Sequence, residues 1–141
     1  MGDLRRFVEA QAPLYDRVVA ELASGRKQSH WMWFVFPQLK ALGRSSMAQL
    51  YGLHDLIEAQ SYWAHPVLGS RLKECVFAVL EVPSVTAHEI FGSPDDLKFC
   101  SCLTLFEQVS PDQCFGAALE RFYGGRRDEK TMALLEVRPA R

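Results

Sequence analysis

Apolar positions recur at helical spacing along almost the whole chain, and the rhythm breaks at proline and glycine. Leu4, Phe7, Val8, Gln11, Leu14, Val18 and Leu22 follow the i, i+3, i+4, i+7 pattern of an amphipathic helix over residues 3–23. Asp3 suits its N-cap, Pro13 predicts a kink or split near Ala12, and Ser24-Gly25 ends it. The run Trp31–Phe36 is apolar throughout and stops at Pro37. It fits a short helix over 30–36 capped by Ser29, with a buried strand as the alternative that periodicity cannot separate. Residues 37–52 carry breaks and the Arg44-Ser45-Ser46 cluster, so they predict a long loop with one turn around Met47–Tyr51.

Beyond the loop the pattern predicts helices over 55–65 and 67–82, the second with Leu68, Leu72, Cys75, Val76 and Val79 inward and Gly69 as a close-packing point. Thr86 and Glu89 form a capping box for a short helix over 85–91. Ser93-Pro94-Asp95-Asp96 and Ser110-Pro111-Asp112-Gln113 both read as helix starts, for helices over 94–109 and 111–123. Gly124-Gly125 ends the second, and Asp128 caps a last helix through Leu135. No alternating segment of useful length is present. The expectation is a mainly α fold: one compact globular domain over 1–135, of about six to eight helices, with a long loop near 37–52 and a tail over 136–141.

Composition narrows the class. With 141 residues, 48% of them apolar, the chain can bury a substantial core in one domain. A net charge of −1 with both signs interspersed argues against nonspecific nucleic-acid binding and against a polybasic membrane anchor. No apolar run approaches membrane-spanning length, and Met1–Arg6 has no apolar signal core and no myristoylation motif. Cys75, Cys100, Cys102 and Cys114 lack CxxC or zinc-ligand spacing and lie in apolar helical patterns. They predict buried reduced thiols in a cytoplasmic protein, with neither metal nor cofactor.

Candidate chemistry gathers in two places. Lys27, Ser29 and His30 stand directly before Trp31 and Trp33, so a cation and an imidazole adjoin aromatic faces able to stack on a base. Gln38 adds an amide, and Arg44 with Ser45 suits a phosphate or carboxylate. In the 94–109 helix, Lys98, Ser101, Thr104 and Gln108 make a stripe of small polar groups bordered by apolar ones, a face covered by protein or by ligand. Lys98 there needs a counter-charge, supplied by a carboxylate of the chain or a phosphate of a ligand. Glu58 and Tyr62 lie one helical turn apart, either as a carboxylate beside a phenol or as an ordinary solvated face. The chain carries no Walker loop, GxGxxG, GxSxG or HExxH.

The run Ser29–Gln38, together with Gly25-Arg26-Lys27, Leu42-Gly43-Arg44-Ser45, His65-Pro66-Val67-Leu68-Gly69, Ile90-Phe91-Gly92, Asp96, Lys98 and Ser101, resembles domain-of-unknown-function family 1810 over nearly the whole chain. Cys100-Ser101-Cys102 and Trp63 depart from the pattern expected of that family. The resemblance implies a small, mainly helical bacterial protein without an assigned activity. Some relatives carry the label calpastatin, but such inhibitors are long and disordered whereas this chain is apolar and compact. A fainter likeness, to the NADAR superfamily, implies action on ADP-ribose derivatives.

Two functions follow as expectations. One is a small enzyme acting on a phosphorylated, base-bearing metabolite such as a nucleotide or ADP-ribose derivative, with hydrolysis of an N-glycosidic bond as the reaction. His30, Glu58 or Asp96 would supply acid or base, and Lys27, Ser29, Trp31, Trp33, Gln38, Arg44, Ser45, Lys98, Ser101 and Thr104 would bind the ligand. The other is a noncatalytic module that uses the same aromatic and basic pocket for a nucleotide ligand or a partner protein.

Overall fold

Proline and glycine punctuation divides the chain into ten α-helices and one 3₁₀ turn among the described residues, 3–136, of a computed structural model. Pro13 splits the first predicted helix into α1 (Arg5–Gln11) and α2 (Tyr15–Ala23). Then come α3 (Met32–Val35), the 3₁₀ turn Lys40–Leu42, α4 (Ser46–Tyr51), α5 (Leu56–Ala64) and α6 (Leu68–Leu80). The chain closes with α7 (Ala87–Phe91), α8 (Asp95–Val109), α9 (Phe115–Tyr123) and α10 (Glu129–Glu136). The split at Pro13 and the helix at 46–51 raise the number above the six to eight expected. Of the expected tail, Glu136 belongs to α10 and residues 137–141 lie outside the described residues. No strand occurs among the described residues, and no helix there is long and apolar enough to cross a membrane.

The fold is built around α8. Phe99, Cys102, Leu103, Leu105 and Phe106 are all fully buried, because α5, α7, α9 and α10 pack around this helix. Even its small polar residues Ser101 and Thr104 are buried, so neighbours enclose this helix on most of its sides. Phe99 is the hub of an aromatic cluster, with ring centroids 4.9 Å from Phe36 and 4.6 Å from Phe91. Tyr62 of α5 lies edge-on to Phe7 at 5.1 Å and tilted against Phe106 at 5.5 Å. These geometries add to the area the rings bury.

Two glycines permit close approaches. A Cβ on Gly69 would stand 2.1 Å from the Trp63 carbonyl oxygen, so the α5–α6 corner closes only with glycine there. A Cβ on Gly52 would meet Lys40 Cα at 2.4 Å. That second approach shuts the expected loop: Lys40 N–H donates to Leu53 O at 2.7 Å and Leu53 N–H to Gln38 O at 3.0 Å. The segment 37–52 is therefore a closed excursion holding the 3₁₀ turn and α4, the latter capped by Ser45 Oγ, which accepts from Ala48 N–H at 3.1 Å.

Four predicted starts move. Asp3 is not the N-cap of α1: Leu4 takes that position without a side-chain cap, and the helix begins at Arg5. The helix after Ser29 begins only at Met32, because Ser29 is occupied elsewhere. The helix α8 begins at Asp95 with Pro94 in the cap position, so no side chain caps it and Ser93 is one residue too early. Ser110 ends α8 through its N–H to Phe106 O at 2.9 Å; residues 111–114 form turns and α9 starts at Phe115. The Thr86–Glu89 capping box and the Asp55 and Asp128 caps are present.

Candidate functional site

The stretch 25–38 is divided by the fold. Its first organiser is Glu21 on α2, a nearly buried carboxylate. It accepts from Gln28 N–H at 2.8 Å, Ser29 N–H at 3.1 Å, Ser29 Oγ at 2.6 Å and Trp31 Nε1 at 2.9 Å. Burial pushes this carboxyl up, but the hydrogen bonds from Ser29, the Gln28 amide and Trp31 outweigh it and hold it down at about 2. Ser29 and Trp31 are thereby consumed in folding the loop onto α2. Trp31 has no exposed surface left for a ligand.

The second organiser is Asp95, in the first turn of α8. Lys27 Nζ lies 3.0 Å from Asp95 Oδ2, with its side chain only 8% exposed, and 5.1 Å from the centroid of the Trp31 ring. Lys98, one turn further along α8, stands 3.7 Å from Asp95 Oδ1 and 5.3 Å from the centroid of the half-buried Trp33 ring, with its side chain 25% exposed. The counter-charge expected for Lys98 is thus Asp95, at the i, i+3 spacing.

Lys98 and Pro94 line two adjoining depressions. The smaller, about 310 Å³, is walled by Lys27, His30, Trp33 and Asp95. The larger, about 700 Å³, lies between the 42–48 segment and the α9–α10 turn. Leu42, Ala48 and Leu97 give it an apolar side, Arg44, Arg127, Asp128, Glu129 and Lys130 a rim of both charges in which Arg127 is paired with Glu107, and Gln38, Ser45, Ser101 and Tyr123 place polar groups between. Both volumes lie in the range of small-molecule sites, roughly 300–1,000 Å³. Burial raises the Tyr123 phenol, which stays neutral and donates to the Asp96 carbonyl. Burial, then the Asp128 charge, pushes the Cys100 thiol up to about 11, so this half-buried cysteine on the cleft wall is a poor nucleophile at neutral pH. All four cysteines are free.

Of the residues singled out from the sequence, Lys27, His30, Trp33, Gln38, Arg44, Ser45, Lys98 and Ser101 border these depressions. Thr104 does not. It is fully buried, donates to Cys100 O at 2.8 Å and accepts from Asp128 N–H at 2.9 Å, stitching α10 to α8. Glu58 lies elsewhere, on α5 and 2% exposed. It accepts from His54 N–H at 2.8 Å, and its Oε2 is 3.7 Å from Arg6, close enough for charge attraction but with no hydrogen bond. Glu58 and Tyr62 are both buried, so the solvated-face alternative for this pair is corrected. Asp96 borders neither depression: its Oδ2 faces His88 Nδ1 at 3.3 Å and its Oδ1 accepts from Leu97 N–H at 3.0 Å. His30, Glu58 and Asp96 are therefore not brought together.

Sequence reasoning passed over Asp95, Leu97, Tyr123, Arg127 and Lys130. The Asp95–Lys98 spacing was a visible signal, and Leu97 adjoins Lys98 on α8; Tyr123 comes from α9, Arg127 from the turn after it and Lys130 from α10, which nothing local connects to residue 98. Among the described residues no group of three or more His, Cys, Asp or Glu could hold a metal ion.

The comparisons with known proteins agree with this fold. The chain belongs to the family described as Protein of unknown function (DUF1810), which matches residues 1–135. It is similar to the crystal structure of the conserved hypothetical protein Rv1873 from Mycobacterium tuberculosis, with 54% identity, a TM-score of 0.94, and coverage of 96% of this chain and 98% of that one. No curated protein matches the chain.

Proposed function

We propose that the chain binds a small phosphorylated, base-bearing metabolite, a nucleotide or an ADP-ribose derivative, in the two-lobed cleft that meets at Lys98. The observation that carries this reading is the position of the Lys98 ammonium. It lines both lobes, with the Arg44 guanidinium and the Ser45 hydroxyl across the larger one and an indole face beside it. The apolar side formed by Leu42, Ala48 and Leu97 suits a base or another flat group.

Turnover is a second reading, supported by one feature. His30 and Asp95 border the same lobe, so an imidazole and a carboxylate adjoin one bound group. In N-glycosidic hydrolysis one of them would take a proton from the attacking water as its oxygen bonds to the anomeric carbon, and the other would protonate the departing base. Glu58 and Asp96 have no place in that scheme.

Thermal unfolding of the chain with AMP, NAD, ADP-ribose and sugar phosphates tests both readings. A ligand at a hundred times its dissociation constant stabilises the fold by about 2.7 kcal/mol. The expected result is a shift with at least one of these compounds that Lys98→Ala abolishes while the variant remains folded. Release of free base, followed by chromatography, separates an enzyme from a binding module. Absence of a shift with every compound would remove the metabolite reading.

A further inference from the structure

We infer that Gln38 is the specificity-determining residue of the larger lobe, the group that reads the polar edge of the ligand's base. The inference rests on the base-bearing metabolite reading above and deepens it. It names the residue that tells one base from another and the edge it needs, a hydrogen-bond donor next to an acceptor.

Charge cannot make that choice. Lys98 and Arg44 attract a phosphorylated ligand whatever base it carries. The choice falls to the uncharged polar side chains of the lobe, and most of these are committed. The Ser101 hydroxyl donates to Leu97 O at 3.2 Å, the Tyr123 phenol to the Asp96 carbonyl, and the Cys100 thiol lies 3.8 Å from Arg126 O. Ser45 Oγ accepts from Ala48 N–H as the cap of α4. Gln38 is different: its half-buried side-chain amide makes no hydrogen bond among the described residues. The amide of Gln49 shows the contrast, since it donates to Lys40 O and Gly43 O. An amide with both its donor and its acceptor uncommitted gains most from a ligand that supplies both partners.

The backbone holds this amide in place. Pro37 precedes it with a fixed φ. Gln38 O accepts from Leu53 N–H at 3.0 Å, and Leu39 beside it is buried. Gly43 marks where the side chain ends: a Cβ there would stand 3.6 Å from Gln38 Nε2 and 2.3 Å from Ala48 Cβ. The amide therefore lies by the Gly43–Ala48 corner, next to the apolar side that suits a flat group. Its carbonyl and amino groups sit side by side in one plane, so they can pair with a base edge through two parallel hydrogen bonds. Adenine offers that edge, its 6-amino group donating to the Gln38 carbonyl and a ring nitrogen accepting from the Gln38 amino group. A purine without the 6-amino group leaves the carbonyl unpaired and binds more weakly.

The test compares AMP with purine riboside 5′-monophosphate, which lacks only the 6-amino group, by calorimetry on the whole chain, with ribose 5-phosphate as the probe without a base. Wild type is expected to bind AMP at least tenfold more tightly than purine riboside 5′-monophosphate. In Gln38→Leu the ratio should fall to within threefold through weaker binding of AMP, while ribose 5-phosphate keeps its affinity. Thermal unfolding checks that the variant is folded; should it not be, Gln38→Met keeps the unbranched side chain and is read in the same way. A folded Gln38 variant with the wild-type ratio would overturn the inference, as would a wild type that binds the two nucleotides alike, and both results leave the phosphate site standing. If wild type binds none of the three probes, nor ADP-ribose, the metabolite reading falls and this one with it.

Discussion

Glu21 and Asp95 are two carboxylates that organise the same stretch of chain in opposite ways. Glu21 takes four hydrogen bonds from Gln28, Ser29 and Trp31 and fastens that loop onto α2. Asp95 makes one tight ion pair and one loose one, at the edge of a cleft. The first arrangement spends its polar groups on folding; the second leaves a cation with surface to offer. The contrast shows why Lys27, Ser29, Trp31 and Trp33, so close in sequence, do different work. A residue's partners decide whether its chemistry remains available, and those partners lie on α2 and α8.

The comparison can be broken most directly at Trp31. Trp31→Ala should lower the unfolding free energy by about 3–5 kcal/mol, the usual cost of emptying a large aromatic site. Urea denaturation would measure it, and a variant of wild-type stability would mean that the indole is not core. Glu21→Gln comes next, at about 2 kcal/mol for weakened hydrogen bonds to a charged acceptor.

The same residue makes a pH prediction. The folded Glu21 carboxyl sits at about 2, below its ordinary value of 4.5. Its contribution is complete above the ordinary value and is lost as pH falls toward 2. Wild type and Glu21→Gln should therefore converge in stability across that acid range, and parallel curves would contradict the Glu21 account.

On the other side of the contrast, Lys98→Ala should change stability by no more than about 1 kcal/mol, as expected for a loose, partly exposed pair. Its effect should fall on ligand affinity instead, and a large loss of stability would erase the distinction between the two regions. The smallest effect is at Arg44, exposed on the cleft rim. Arg44→Ala should leave stability within about 0.5 kcal/mol of wild type and weaken an anionic ligand only a few-fold. That weakening should shrink further as salt is raised, since exposed charges are screened.

Much of the architecture was written in local patterns. The helical rhythm of α6, the stop at Pro37, the Thr86–Glu89 box and the Asp128 cap depend on neighbours a few residues away, so their physics is complete within a short window. The starts after Ser93 and Ser110 were misread for a related reason. A Ser-Pro-acid run satisfies the local rule for a cap, but the preceding segment had already claimed those positions: Ser110 by closing α8, and Ser93 by standing before a proline that takes the cap position itself.

The candidate site was half legible. Lys98 announced itself as a cation among small and apolar groups, and its need for a counter-charge followed from electrostatics alone. That Asp95 answers it was within reach of the i, i+3 rule. That Glu58 is withdrawn to Arg6, that Thr104 is sealed under α10, and that Arg127 and Lys130 face the cleft were not, because each depends on residues far apart in the chain, 52 positions for Glu58 and Arg6 and 24 for Thr104 and Asp128. By itself the sequence determined a helical chain, most of its stops, and the residue types available for anion chemistry, since these follow from periodicity and backbone restriction. Only the tertiary structure decided which of those groups were buried as fasteners and which stayed open to solvent, because burial and pairing are set by the packing of helices that the chain brings together from a distance.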